Sequence, residues 1–166
     1  MNITETISNF PEFAKDIKLN YSKILNEGIL ESSLLYSVIL ISSIATKCDV
    51  LINAAYEESK SYVTEEIIQD IKGAYAIMSM NAIYYRFTHL TNEQSYSSMP
   101  ANLRMQYMSK HKISKSDFEL LCLAVAILMG CGKCINAHEA VLRENNVENI
   151  KIQTVARIVS IINSMA

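Results

Sequence analysis

Within the segment 119–143, ELLCLAVAILMGCGKCINAHEAVLR, two cysteines form a Cys-x-x-Cys pair, Cys131 and Cys134, and His138 follows the second of them by four positions. Residues at i and i+4 share one helix face with roughly 5–6 Å between their Cβ atoms, so the imidazole can reach the Cys134 thiol directly or through one water. A thiol with the ordinary pKa of about 8.5 is a poor nucleophile at neutral pH, and an imidazole, a cation such as Lys133 and a helix N-terminus all favour the thiolate. Such a thiolate attacks the O–O bond of a peroxide and becomes a sulfenic acid, which a second thiol then condenses to a disulfide. Cys131 is placed to be that second thiol. Helix position alone points the other way, because Cys131 lies nearer the helix N-terminus and would be the exposed thiol of lower pKa, whereas His138 argues for Cys134 as the attacking sulfur.

Glu119 precedes the pair by a helix of about ten residues, or about 15 Å at 1.5 Å per residue. If the next helix folds back, a carboxylate there orients the imidazole and holds its proton, as a third group commonly does for a catalytic base. Ser116-x-x-Glu119 also has the form of a capping box, which would turn the same carboxylate to the backbone at the helix start. Zinc is the other chemistry open to Cys131, Cys134 and His138, although no second Cys-x-x-Cys or His-x-x-x-His completes the usual four ligands. Cys48 and Cys122 lie in apolar helical runs and read as small buried hydrophobes. His89 and His111 stand in polar or basic surroundings and read as surface residues.

The elements that must position these groups are helices. Four glycines and two prolines in 166 residues leave few turn signals, and both residue types interrupt helices. Half of the chain is apolar, enough for a sizeable core. Fifteen Lys plus Arg against 17 Asp plus Glu give a net charge of −2, which supplies no footprint for nucleic acid. The apolar stretches 34–45 and 120–131 are shorter than the about 20 residues of a membrane span and read as buried helices. The N-terminal residues lack a basic segment followed by an apolar one, so the expected location is the cytoplasm. There, four cysteines point to redox, metal or buried roles rather than structural disulfides.

Helices are expected over about 13–25, 29–45, from Asp49 as a cap through Ala55, and from Thr64 as a cap to about Phe87. After the polar segment 89–100 a short helix follows Pro100, and Ser114 or Ser116 starts an apolar helix to Met129. Gly130-Cys131-Gly132 breaks it, and further helices cover about 133–143 and from Val147 to the C-terminus. Ile52-Asn53-Ala54 aligns with Ile135-Asn136-Ala137 at an offset of 83, which also places Cys48 on Cys131. This is a degenerate internal repeat. At the same offset Tyr36 falls on Glu119, Leu51 on Cys134 and Ala55 on His138, so one half is scaffold and the other carries the site. The expectation is one domain over 1–166, with a degenerate N-terminal repeat (1–88) and a C-terminal repeat with the site (100–166).

The segment 116–143, SDFELLCLAVAILMGCGKCINAHEAVLR, resembles the signature of the alkylhydroperoxidase D (AhpD) family, within the carboxymuconolactone decarboxylase-like superfamily. The likeness covers the glutamate, the Cys-x-x-Cys, the histidine four residues on, and Glu139 with Leu142-Arg143. It implies an all-α homo-oligomer, often a trimer, that reduces alkyl hydroperoxides with thiols and binds no cofactor. By this resemblance Cys134 is the peroxidatic cysteine, Cys131 its disulfide partner, and His138 with Glu119 the proton relay. The reductant it implies is a dihydrolipoyl group on a lipoylated 2-oxoacid dehydrogenase component, and electrons can pass onward to the peroxiredoxin AhpC. Two alternatives to direct peroxide reduction are an electron relay from lipoyl groups to a peroxiredoxin, and a non-enzymatic helical oligomer with zinc-binding or structural cysteines. A decarboxylase reading leaves the cysteine pair without a task.

The chain departs from the family at Lys133, where the best-known members carry a second histidine. Lysine keeps a positive charge beside the thiols but does not exchange a proton near neutral pH at its ordinary pKa. The Lys133→His variant is therefore expected to change the pH dependence of turnover, measured as a pH–rate profile; an unchanged profile would remove any role for this position in proton transfer.

Overall fold

The computed structural model describes residues 2–166 and is all-α, with no strand among the described residues. Helix α1 spans Ile3–Ser8, α2 Lys15–Asn26, α3 Ser32–Thr46, α4 Asp49–Ser59 and α5 Glu65–Leu90. Helix α6 is a single turn at Ser95–Ser98, followed by α7 Lys115–Leu128, α8 Gly132–Glu144 and α9 Asn149–Asn163. None is long and apolar enough to cross a membrane.

The two uniformly apolar stretches form the centre. Val38 to Ile41 of α3 and Phe118 to Ala126 of α7 are buried on every side, as expected of helices that are hydrophobic all round. Three serines inside α3 avoid unpaired hydroxyls by bonding back one turn: Ser37 to Ser33 O (2.7 Å), Ser42 to Val38 O (2.6 Å) and Ser43 to Ile39 O (2.8 Å).

The repeat is visible in the helices themselves. α3 and α7 start 83 positions apart, and so do α4 and α8. Each first pair is joined through a left-handed residue at the same relative place, Lys47 (φ 61°) and Gly130 (φ 66°). Packing follows the same exchange: α3 rests on α4, α5 and α9, while α7 rests on α8, α9 and α5. The exchange fails in one place, because α5 packs along α8 and there is no comparable packing of α4 on α9 among the described residues.

Several local expectations are corrected. Asp49 does not cap α4; Cys48 holds that position, and Asp49 lies in the first turn, where its charge favours the helix dipole. The short helix lies before Pro100 rather than after it, and only a 3-10 turn at Gln106–Ser109 follows. Helix α1 escapes the apolar-periodicity reading because it is only six residues long; its signal was the capping box of Asn2 and Glu5.

The segment after α6 is held to α5 by one buried carboxylate. Asp70 accepts hydrogen bonds from the Lys112 N–H (2.7 Å), the Ile113 N–H (2.9 Å) and the Tyr107 hydroxyl (3.0 Å). Gly73, one turn along α5, leaves room for the Tyr107 ring, which a side chain there would overlap. At the other end, Arg157 of α9 makes a bidentate pair with Glu27 at the end of α2, with N–O distances of 2.7 and 2.9 Å.

The Arg157 guanidinium holds the Glu27 carboxyl below its ordinary range. A depressed carboxylate contributes stability above the unfolded-state pKa, and that contribution disappears as pH falls through the folded value. Glu27→Gln is expected to cost about 0.5–1 kcal/mol at pH 7, since the pair is partly screened by solvent. Urea unfolding should show the difference from the wild type shrinking below about pH 4; a pH-independent difference would mean that packing, not charge, links α2 to α9.

Candidate active site

The site begins where α7 stops. Gly130 takes the left-handed conformation, its N–H donates to Ile127 O (3.0 Å) and the Cys131 N–H donates to Ala126 O (3.1 Å). This double closure is a Schellman motif, and glycine takes its positive φ without the strain that a side chain brings. Arg86 of α5 donates to Met129 O at 2.6 Å, which satisfies one more carbonyl at the end of α7. The turn delivers Cys131 to the N-cap of α8, where its sulfur accepts from the Cys134 N–H at 3.3 Å.

Cys131 and Cys134 are joined as a disulfide, with Cα atoms 5.2 Å apart. Cys131 is 0 % exposed and Cys134 5 %, and of the two only Cys134 lines the cavity beside α8. The expectation that helix position leaves Cys131 exposed is thus corrected. The Schellman turn tucks its sulfur beneath the chain, while the first turn of α8 brings Cys134 around to the open side.

Glu119 and His138 meet across the α7–α8 hairpin, His138 Nδ1 donating to Glu119 Oε2 at 2.6 Å. Both are buried, each 9 % exposed. Because a carboxylate only accepts, this hydrogen bond needs a ring proton on Nδ1. The capping-box reading of Glu119 is overturned: Ser114 caps α7 by accepting from the Asp117 N–H, and Ser116 lies inside the helix. The helix begins two residues earlier than an N-cap at Ser116 would set it, so Glu119 lies in the second turn and its carboxylate bonds across to α8 instead of to the helix start.

A cavity of 330 Å³ lies between α5 and α8. Met78, Asn81 and Tyr85 of α5 line one side, and Lys133, Cys134, Ala137 and His138 of α8 the other. Met105 and Met108, from the segment that Asp70 anchors, line it as well. The Lys133 ammonium stands 5.2 Å from the centroid of the Tyr85 ring, a cation–π arrangement that keeps its charge beside the cavity. Sequence reasoning found the α8 residues and Glu119 but missed the α5 wall. The available signal was Met78, Asn81 and Tyr85 at i, i+3 and i+7, with a lone amide in an otherwise apolar stripe.

The remaining cysteines lie apart from this chemistry. Cys122 is buried, and burial, with the Glu119 carboxylate adding to it, pushes its thiol well above the ordinary range; a thiol so placed is inert. Cys48 caps nothing with its side chain. At the positions equivalent to Cys134 and His138, Leu51 and Ala55 pack in the core, and Tyr36 stands for Glu119, stacked on Tyr62 at 3.8 Å. His89 is exposed, as expected. His111 is not a plain surface residue: its ring stacks on Phe118 at 4.2 Å, with Nδ1 2.9 Å from Ile113 O. The loop anchored by Asp70 carries it inward. Among the described residues, no group of three or more His, Cys, Asp or Glu side chains is arranged to hold a metal.

The arrangement can take electrons into a disulfide and, once reduced, present a thiol with an oriented imidazole one turn away. Glu119→Gln replaces the carboxylate that orients His138 with a neutral amide and so weakens the imidazole's support of a Cys134 thiolate. Alkylation of the reduced protein by iodoacetamide at pH 7 is expected to slow about tenfold, equivalent to about 1.4 kcal/mol. An unchanged rate would disconnect the carboxylate from the thiol.

Comparison with known proteins gives a consistent picture. The carboxymuconolactone decarboxylase family profile matches residues 95–166. Over its whole length the chain is similar to proteins named alkyl hydroperoxide reductase AhpD. That of Acidobacterium capsulatum is 40 % identical over 166 residues, covering 99 % of this chain and 91 % of the relative. That of Brucella anthropi is 42 % identical, covering 100 % and 95 %, and that of Azorhizobium caulinodans 40 % identical, covering 100 % and 92 %.

Proposed function

The chain belongs to the AhpD family, within the carboxymuconolactone decarboxylase-like superfamily, and on that premise we propose that it is a thiol-dependent oxidoreductase of peroxide defence that cycles Cys131 and Cys134 between dithiol and disulfide. The observation that carries this reading is a bridged pair that opens through Cys134 alone onto a cavity shared with His138, whose ring is oriented by Glu119.

In the reducing half, an external dithiol attacks Cys134, the accessible sulfur, and Cys131 leaves as a thiolate. The second thiol of the reductant then displaces Cys134, so the reductant departs as a disulfide and the protein as a dithiol. An aliphatic arm ending in two thiols, such as a dihydrolipoyl group on a lipoylated dehydrogenase component, fits a cavity walled by methionines. In the oxidising half, His138 takes the Cys134 proton and the thiolate attacks the terminal oxygen of an alkyl hydroperoxide. The O–O bond breaks, an S–O bond forms, and the alkoxide recovers the proton and leaves as an alcohol. Cys131 then condenses with the sulfenic acid, releases water and restores the disulfide.

A second reading shares the reducing half but hands the electrons to the disulfide of a peroxiredoxin such as AhpC. It is favoured by the oxidised pair and by the cavity beside Cys134, which serves either acceptor. A homo-oligomer, with a trimer implied by the family, is part of the proposal. It is supported by the exposed Ile83, Phe87 and Leu90 along one face of α5 and by the nearby Tyr96 and Met99. A cytoplasmic setting, which keeps external dithiols reduced, suits either reading.

Cys134→Ser is expected to abolish peroxide-dependent oxidation, and Cys131→Ser to leave a sulfenic acid that dimedone traps and mass spectrometry detects; full activity in either variant would refute the assignment. Steady-state peroxide consumption with dihydrolipoamide, with and without a peroxiredoxin, separates the two readings. Consumption without peroxiredoxin supports direct reduction, and consumption only in its presence supports the relay.

A further inference from the structure

The polar groups that line the cavity differ in what holds them. Cys134 is in the disulfide, His138 is bonded to Glu119, and Lys133 stands over Tyr85. Asn81 of α5 is 6 % exposed, and its Oδ1 is buried without a hydrogen-bond partner. The other buried polar side-chain atoms in this condition among the described residues, on Tyr21 and Thr154, do not line the cavity. Leaving a buried amide oxygen unpaired is costly, so its place beside the cavity calls for an explanation in the protein's function.

We infer that Asn81 is the recognition group for the hydroperoxide head, an inference that rests on the direct peroxidase reading above. An R–O–O–H group carries an acceptor on its proximal oxygen, which matches the N–H donor of a primary amide. The Asn81 amide N–H donates to the proximal oxygen, while the methionines that line the cavity take the alkyl body. Asn81 faces Cys134 across the cavity from the opposite helix, so a hydroperoxide held there presents its terminal oxygen to the sulfur. As Cys134 forms the S–O bond and the O–O bond breaks, negative charge gathers on the proximal oxygen. The amide donation strengthens at that moment, which stabilises the departing alkoxide before it takes its proton. A neutral amide recognises a neutral head group and leaves the thiolate as the single anion in contact with it.

The test compares Asn81→Leu with the wild type in three reactions of Cys134: oxidation of the reduced protein by cumene hydroperoxide, its reaction with 4,4′-dithiodipyridine, and reduction of the oxidised protein by dihydrolipoamide. Oxidation by the hydroperoxide is expected to slow about 100-fold, the effect of removing one donor from a developing oxyanion, with the other two rates changed less than threefold. Leucine also removes the unpaired amide, so Tm is expected to rise by about 2–4 °C. Activity and stability then move in opposite directions, which a purely structural role would not produce. Asn81→Ser, smaller and polar, serves if the leucine variant does not fold, with partial loss expected. Hydroperoxide oxidation within threefold of the wild type overturns the inference, and so does an equal loss in all three reactions or a loss confined to the dithiol step. Wild-type protein that cumene hydroperoxide fails to oxidise would instead defeat the peroxidase reading itself, and the inference with it.

Discussion

A carboxylate on α7 and an imidazole on α8, 2.6 Å apart in a buried hairpin, fix the geometry on which the rest of the site depends. A hydrogen bond to a charged group contributes about 1.5–3 kcal/mol, and leaving Glu119 buried without its partner would cost more than that. The pair therefore sets the rotation of α8 about its axis as well as the tautomer of His138. With the helix rotation fixed, Cys134 lies on the face toward α5. The Gly130 turn constrains the other end of the same helix by delivering Cys131 to its N-cap. Two constraints, about two turns of helix apart, determine where the disulfide opens.

The same hairpin occurs twice, and the comparison separates scaffold from site. In the first copy the left-handed position is Lys47 rather than glycine, a strained choice tolerated in a turn that carries no chemistry. Leucine and alanine replace the thiol and the imidazole, and tyrosine replaces the glutamate. These exchanges make the first copy a packing unit and leave the demanding buried polar groups in the second. A core shared by both copies lets the apolar half offset the cost of polar groups in the other.

Much of this was legible along the chain. The i, i+4 relation of Cys134 to His138, the breaking turn at 130–132 and the offset of 83 are all local or periodic signals, and helices carry such signals at short range. Thr64 caps α5 as its position promised. The ambiguous cases were those in which one local pattern had two uses. Glu119 fitted a capping box as well as a relay, and a two-residue difference in the helix start, decided by Ser114, separated them. What the sequence did not reveal was long-range. Asp70 and Asn81 sit on α5 among ordinary residues, and their importance comes from partners or cavities supplied by segments dozens of positions away.

Helix α5 has 26 residues and α9 has 15. At the offset of the repeat, the end of α9 at Asn163 corresponds to Met80, so Asn81, Tyr85 and Arg86 all lie on the portion of α5 that has no counterpart. The two halves of the fold differ because α5 extends beyond its twin, and that overhang supplies Asn81 and Tyr85 to the cavity wall. Tandem architecture thus supplied the shell, and a change in element length supplied the asymmetry. In chains of this architecture, variation in the overhang is where a shift in accepted substrates would arise with the hairpin chemistry left intact.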